Sequence, residues 1–156
     1  MIFVTVGTGD VGFQRLIVKM DEIAGRIDEE VIFQIGATQY KPKYGEYFDF
    51  CEESSILEYI KRARVVVTHA GAGTVLNLLL LGKNVILFPR FKKYGECLDD
   101  HQLELTKMLS EKGQAVAVYD TDDLESAIKS IDGAVPTTPD RNSGLLAFLK
   151  RQFAES

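Results

Sequence analysis

Short, continuous apolar runs alternate along this chain with longer stretches of helical period. Residues 2–6, 31–35, 65–68, 85–88 and 115–118 are runs dominated by Ile, Val, Phe and Ala, and a weaker run covers 47–50. Continuous rather than alternating hydrophobicity marks strands that are covered on both faces. Between the runs, apolar residues recur at three- and four-residue spacing over 12–26, 55–61, 74–81, 100–112, 121–131 and 141–153. That spacing predicts helices. Strand and helix take turns, so the expected fold is α/β, a Rossmann-like doubly wound parallel sheet. Such sheets bind ligands beyond the carboxyl ends of their strands, where the strand order reverses. Residues 1–156 read as one domain, with a short Pro-containing linker over 132–140 before the terminal helix.

Polar chemistry gathers at the predicted strand ends. The third strand runs out into His69-Ala70-Gly71-Ala72-Gly73-Thr74. A buried strand delivers His69 to its carboxyl edge, and the glycines admit a ligand close to the backbone. The helix that follows aims unpaired N–H groups and a partial positive charge at an anion. The expected ligand is a phosphate or diphosphate held by backbone amides, with the Thr74 hydroxyl as a further donor. The packing alternative is a small-residue turn that brings helix and sheet together. No Lys follows the last glycine, so this is not a P-loop, and no central Ser or Cys makes it a nucleophile elbow.

The first strand ends in Gly7-Thr8-Gly9-Asp10-Val11-Gly12, which has the form of a dinucleotide fingerprint. The acidic ribose partner expected at the end of the second strand is missing, since Gln34 and Gly36 stand there. No nicotinamide or flavin cofactor is therefore expected. After the fourth strand, Arg90 offers a partner for a phosphate or a structural carboxylate. Asp99 or Asp100 is expected to cap the next helix. Asp100, His101 and Gln102 together offer donors and acceptors suited to sugar hydroxyls.

Composition narrows the partners. The chain has 156 residues and a net charge of −5, which argues against a broad electrostatic grip on nucleic acid. Its two cysteines form no disulfide framework and its two histidines have no metal-ligand spacing, so a reducing compartment and no metal are expected. No apolar run approaches the roughly 18–20 residues of a membrane span. Met1 leads straight into a strand without a basic leader. A cytoplasmic protein is expected, at a membrane only through a partner.

Four segments, in order, carry a family resemblance: Met1-Ile2-Phe3-Val4-Thr5-Val6-Gly7-Thr8, His69-Ala70-Gly71-Ala72-Gly73-Thr74, Gly82-Lys83-Asn84-Val85-Ile86-Leu87-Phe88-Pro89-Arg90 and Tyr94-Gly95-Glu96-Cys97-Leu98-Asp99-Asp100-His101-Gln102. The chain resembles the carboxyl-terminal domain of glycosyltransferase family 28, and within it the small donor-binding subunits of two-component transferases. The resemblance implies the carboxyl-terminal half of a GT-B enzyme. It implies a UDP-sugar substrate, UDP-GlcNAc or a UDP-hexose, with no further cofactor. It also implies an inverting, metal-independent transfer to a lipid-linked or polysaccharide acceptor, completed by a membrane-anchored partner subunit. By motif, Ala70, Gly71, Ala72, Gly73 and Thr74 contact the donor diphosphate. His101 and Gln102 contact the sugar or ribose, Gly7, Thr8 and Gly36 face the cleft, and His69 lies beside it. Asn77 stands where relatives often carry an acidic residue for the ribose, and lacks a carboxylate's charge-assisted strength.

His69 is this chain's candidate general base, with the partner chain as the other source. Half of a two-domain site implies a further surface, covered by a heteromeric partner or, in isolation, by a second copy. The alternative function is a non-catalytic nucleotide-sugar-binding or scaffold subunit.

Overall fold

A computed structural model describes residues 1–131 and, beyond them, Ala147 and Arg151. The elements follow in the order β1 (Ile2–Thr5), α1 (Gln14–Ala24), β2 (Val31–Gln34), β3 (Glu46–Phe48), α2 (Glu53–Arg62), β4 (Val65–Thr68), α3 (Ala72–Leu80), β5 (Val85–Leu87), α4 (His101–Glu111), β6 (Val116–Ala117) and α5 (Leu124–Ser130). Single 3₁₀ turns lie at Lys92–Tyr94 and Thr121–Asp123. The strands form one sheet in the order β3-β2-β1-β4-β5-β6, and every pair is parallel. The chain winds outward from β1 to β3 and then returns to β4, so the order reverses between β1 and β4. Thr5 pairs with both Gln34 and Thr68, which ends the three central strands at one level. The residues that follow them therefore share a rim.

The period of two along each strand divides the core between the two faces. Ile2, Val4, Phe33, Val65 and Val67 meet Leu16, Ile17, Met20 and Ile23 of α1, together with Leu124 and Ile128 of α5. Phe3, Ile32, Val66, Val85 and Leu87 meet Ile60 of α2, Val75, Leu78 and Leu79 of α3, and Leu105 and Leu109 of α4. Each such side chain stabilises the fold by roughly 1.5–3 kcal/mol on burial. The strand ends are thus fixed by packing from both sides. At the opposite end of the sheet, Arg64 donates twice to Glu29, Nε to Oε2 at 2.9 Å and Nη2 to Oε1 at 2.6 Å. The Arg64 amide also donates to the Met1 carbonyl at 2.8 Å.

The weak run expected over 47–50 is realised as the edge strand β3. The helix expected from residue 74 begins at Ala72, because Ala72 and Gly73 add a turn that apolar periodicity cannot register. The helix expected from 121 opens as a 3₁₀ turn, where Asp120 Oδ1 accepts from the Asp122 amide at 2.8 Å. The linker over 132–140 and the helix over 141–153 fall outside the described residues, apart from Ala147 and Arg151.

Candidate functional site

A cleft of about 540 Å³ opens over the carboxyl ends of β1 and β4, at the reversal of strand order. Its walls are residues 7–9, His69, Gly71, Ala72, Gly73, Thr74, Leu76, Asn77 and Gln102. Two loops and one helix terminus thus build it, and two glutamines organise them.

Gln34 organises the loop after β1. It is 2% exposed at the end of β2. Its Oε1 accepts from Thr5 Oγ1 at 2.6 Å, the Val6 amide at 3.1 Å and the Gly7 amide at 3.2 Å. Its Nε2 donates to the carbonyls of Gly7 at 3.0 Å and Asp49 at 2.9 Å. The residue that stands in place of a ribose-binding acid therefore has its amide engaged with backbone. Gly7 takes φ +79°, where an L side chain is strained.

The loop after β4 passes directly into α3. Gly71 is the N-cap, with φ −73° and ψ 125°, and no side chain caps the helix. The first i to i−4 bond runs from the Val75 amide to the Gly71 carbonyl at 3.0 Å. The amides of Ala72, Gly73 and Thr74 therefore precede the helical ladder. Their partial positive charge faces a cleft that no Lys or Arg lines among the described residues.

His69 lies beneath this cradle. A Cβ added to Gly7 would come within 2.6 Å of its Nε2, and one added to Gly71 within 2.4 Å of its Cε1. The ring thus fills the space that side chains at both positions would need. Nδ1 lies 3.3 Å from Gln102 Nε2. Nε2 is shielded from solvent and has no hydrogen-bond partner among the described residues. Burial, and to a smaller extent the charge of Arg90, push the His69 pKa down to about 3. Gln102 Oε1 accepts from the amides of Ala70 at 3.2 Å and Arg90 at 3.1 Å. One amide side chain on α4 thereby ties the ends of β4 and β5 to the histidine.

The structure brings Gly7, Thr8, His69, Gly71, Ala72, Gly73, Thr74, Asn77 and Gln102 together, and adds Gly9 and Leu76. Five expected residues stand outside the cleft wall. Gly36 is buried behind the β1 loop, where an added Cβ would lie 3.1 Å from the Gly7 carbonyl. Ala70 is buried, with its amide on Gln102. Arg90, expected at a phosphate or a carboxylate, is 6% exposed and bonds backbone carbonyls instead. Its Nη1 donates to Gly12 at 3.0 Å and Glu96 at 3.3 Å, and its Nη2 to Val6 at 3.1 Å. It is a strut between the loops, because Glu96 already holds Arg15 at 2.9 Å and the Phe91 amide at 2.9 Å.

Asp100 and His101 are exposed at the start of α4. Asp100 occupies the N-cap without a side-chain cap bond. Asp99 makes the bond instead, its Oδ1 accepting from the His101 amide at 3.0 Å. As an acceptor base His69 also fails. Its pKa of about 3 makes the ring a weak proton acceptor, and its unpartnered Nε2 is shielded from solvent against the backbones of Gly7 and Gly71.

Gln34 and Gln102 as organisers, and Gly9 and Leu76 as wall residues, are what the sequence reading missed. A glutamine closing a buried apolar strand was the available signal for Gln34, because such an amide needs partners. Among the described residues there is no cluster of three or more His, Cys, Asp or Glu fit for a metal. No helix among them is long and apolar enough to cross a membrane.

Comparison with known proteins adds relatives to this geometry. The UDP-N-acetylglucosamine transferase subunit ALG13 of Yarrowia lipolytica is 26% identical over 166 residues, covering 94% of this chain and 80% of the relative. The human protein of the same name is 32% identical over 123 residues, covering 72% of this chain but only 10% of its own length. Among solved structures, MurG of Acinetobacter baumannii superposes with a TM-score of 0.61 at 15% identity, over 95% of this chain and 49% of MurG. The fold is that of one half of a GT-B glycosyltransferase. The family model of the glycosyltransferase family 28 C-terminal domain matches residues 1–144, and the chain belongs to that family.

Proposed function

We propose that this chain is the donor-binding half of a two-part glycosyltransferase. It binds a UDP-sugar, UDP-N-acetylglucosamine or a UDP-hexose. A membrane-associated partner subunit completes the active site and presents a lipid-linked or polysaccharide acceptor, at the cytoplasmic face of a membrane. The observation that carries this reading is the cleft of about 540 Å³ walled by glycine backbone and by the free amides of α3, in a chain of this family. Departure of UDP from the sugar builds negative charge on the diphosphate. Preorganised amides and the α3 terminus would stabilise that charge, and no metal ion need do so. The sugar would transfer by one displacement with inversion.

The attacking hydroxyl needs a base. No carboxylate lines the cleft among the described residues, and His69, with its pKa pushed down to about 3 and its Nε2 shielded from solvent, is a weak acceptor for a proton. The base is therefore assigned to the partner. The same observation supports the second reading, a subunit that binds nucleotide sugar without contributing to chemistry.

The test is UDP-sugar turnover by the chain alone and by the chain co-purified with its membrane-associated partner. Turnover is expected only in the complex, undiminished by a chelator, with inverted anomeric configuration. Gly71→Asp should abolish it, since the new side chain would meet His69 inside the cradle. Undiminished activity in that variant removes the cradle from the mechanism. UDP binding by a complex that turns over no UDP-sugar establishes the scaffold reading.

A further inference from the structure

We propose that Gln102 is a positioning residue. It locks His69 in the tautomer with its proton on Nε2, and so sets a fixed N–H dipole beneath the anion cradle. The part that concerns an anion rests on the nucleotide-diphosphate reading above.

The assignment follows from donor and acceptor chemistry. Gln102 Oε1 faces two backbone amides, Ala70 at 3.2 Å and Arg90 at 3.1 Å. Amide N–H groups only donate, so this end of the side chain is its oxygen and the other end is NH₂. That NH₂ also only donates, and it lies 3.3 Å from His69 Nδ1. Nδ1 is therefore the acceptor. The ring is neutral in its buried setting, and a neutral imidazole that accepts at one nitrogen carries its proton on the other.

The consequence is a donor with nowhere to donate inside the chain. Nε2 is buried and unpartnered among the described residues, against the backbones of Gly7 and Gly71. Those glycines are the two walls of the cradle. A buried unpaired donor is costly unless its surroundings favour the positive end of its dipole. An anion above it does so, alongside the α3 amides. Arg90 is the charged group whose field reaches the ring, and it has the same sign. Gln102 thus aligns three positive features, since its oxygen also holds the Arg90 amide. A histidine with its proton on the cleft side also has no lone pair for an acceptor hydroxyl.

Gln102→Glu separates this role from simple stapling. The variant has nearly the same shape, and one carboxylate oxygen can still accept from Ala70 and Arg90. The other oxygen can only accept, so the proton moves to Nδ1 and the Nε2 lone pair turns toward the cradle. The full chain labelled with ¹⁵N-histidine reads this without any ligand. In the wild type, His69 should show a protonated Nε2 and a bare Nδ1, and in Gln102→Glu the pattern should reverse.

Affinity for UDP-N-acetylglucosamine, whose diphosphate has no terminal phosphate to titrate in this range, should by calorimetry be flat between pH 8 and 6 in the wild type. In Gln102→Glu it should fall about tenfold or more at pH 8, the loss expected for inverting one buried polar contact. It should recover as pH falls and the ring gains its second proton. Gln102→Met, which removes the staple without adding charge, should weaken binding with no such pH dependence. A wild-type His69 protonated on Nδ1 overturns the proposal. So does a Gln102→Glu protein with the wild-type nitrogen pattern and pH-flat binding. Failure of the wild type to bind UDP overturns the nucleotide reading instead, and the nitrogen spectrum still decides the tautomer.

Discussion

At the residue scale the site is made less by charged side chains than by two amides and the absence of two Cβ atoms. Gln34 shapes the Gly7 loop, Gln102 joins the ends of β4 and β5, and the bare α-carbons of Gly7 and Gly71 let the His69 ring lie between them. Burying that ring has a consequence for stability. Its folded pKa lies near 3, against 6.5 for the free side chain. Below about pH 6.5 the unfolded chain takes up a proton that the folded chain refuses. Stability should therefore decline steadily as pH falls from 6.5 toward 3, and the histidine contributes no such loss above 6.5. Urea midpoints measured every half pH unit will show this. In His69→Gln the slope between pH 6.5 and 5 should flatten, whatever the variant's stability at pH 7. An unchanged slope would mean that the ring is protonated in the folded protein, or that another group titrates there.

At the scale of elements, the chain order was legible because each strand is covered twice. Phe3 and Val4 belong to opposite cores, so the β1 run is continuous, and the same holds for β2 and β4. The switch point could then be placed from the order of elements, and the cleft lies there. What stayed hidden was short or polar. Ala72 and Gly73 carry no apolar period, so periodicity alone starts the helix at residue 74 and leaves out the first turn of α3, whose amides face the cleft. Arg90 looked available because its partners are the carbonyls of Val6 and Gly12, more than 70 residues away, and carbonyls leave no trace in residue type. The far end of the sheet hid its fastening in the same way. Glu29 there has its pKa lowered from 4.5 to about 2, first by its hydrogen bonds from Arg64. A lowered carboxylate pKa gives stability that is present above about pH 4.5 and lost as pH falls through 2. Because Glu29 is part-exposed, with 28% of its side chain in solvent, the gain is discounted to about 1–2 kcal/mol. Glu29→Gln should lose that amount at pH 7 and differ little from the wild type at pH 2. Equal stabilities at pH 7 would show that the pair is solvent-screened and does not fasten the strands.

At the scale of the whole molecule, an acidic protein binds an anion, if the proposed function holds, through a cleft that no lysine or arginine lines among the described residues. Those facts oppose each other at long range and agree at short range. With a net charge of −5, the chain repels an approaching nucleotide diphosphate out to about the Debye length, roughly 10 Å at 0.1 M salt and shorter as salt rises. Inside the cleft, the amides of Ala72, Gly73 and Thr74 and the α3 terminus act over a few ångströms, where salt screens little. A diphosphate site built from Lys and Arg loses affinity steeply as salt rises. Here added salt removes the repulsion and leaves the amide contacts in place. The dissociation constant for UDP, measured by calorimetry from 50 to 500 mM sodium chloride, should therefore stay constant or fall by a factor of about two. The association rate should rise over the same range. A tenfold loss of affinity would assign the grip to lysine or arginine side chains beyond the described cleft wall, and the backbone cradle would then serve to shape the site rather than to hold its charge.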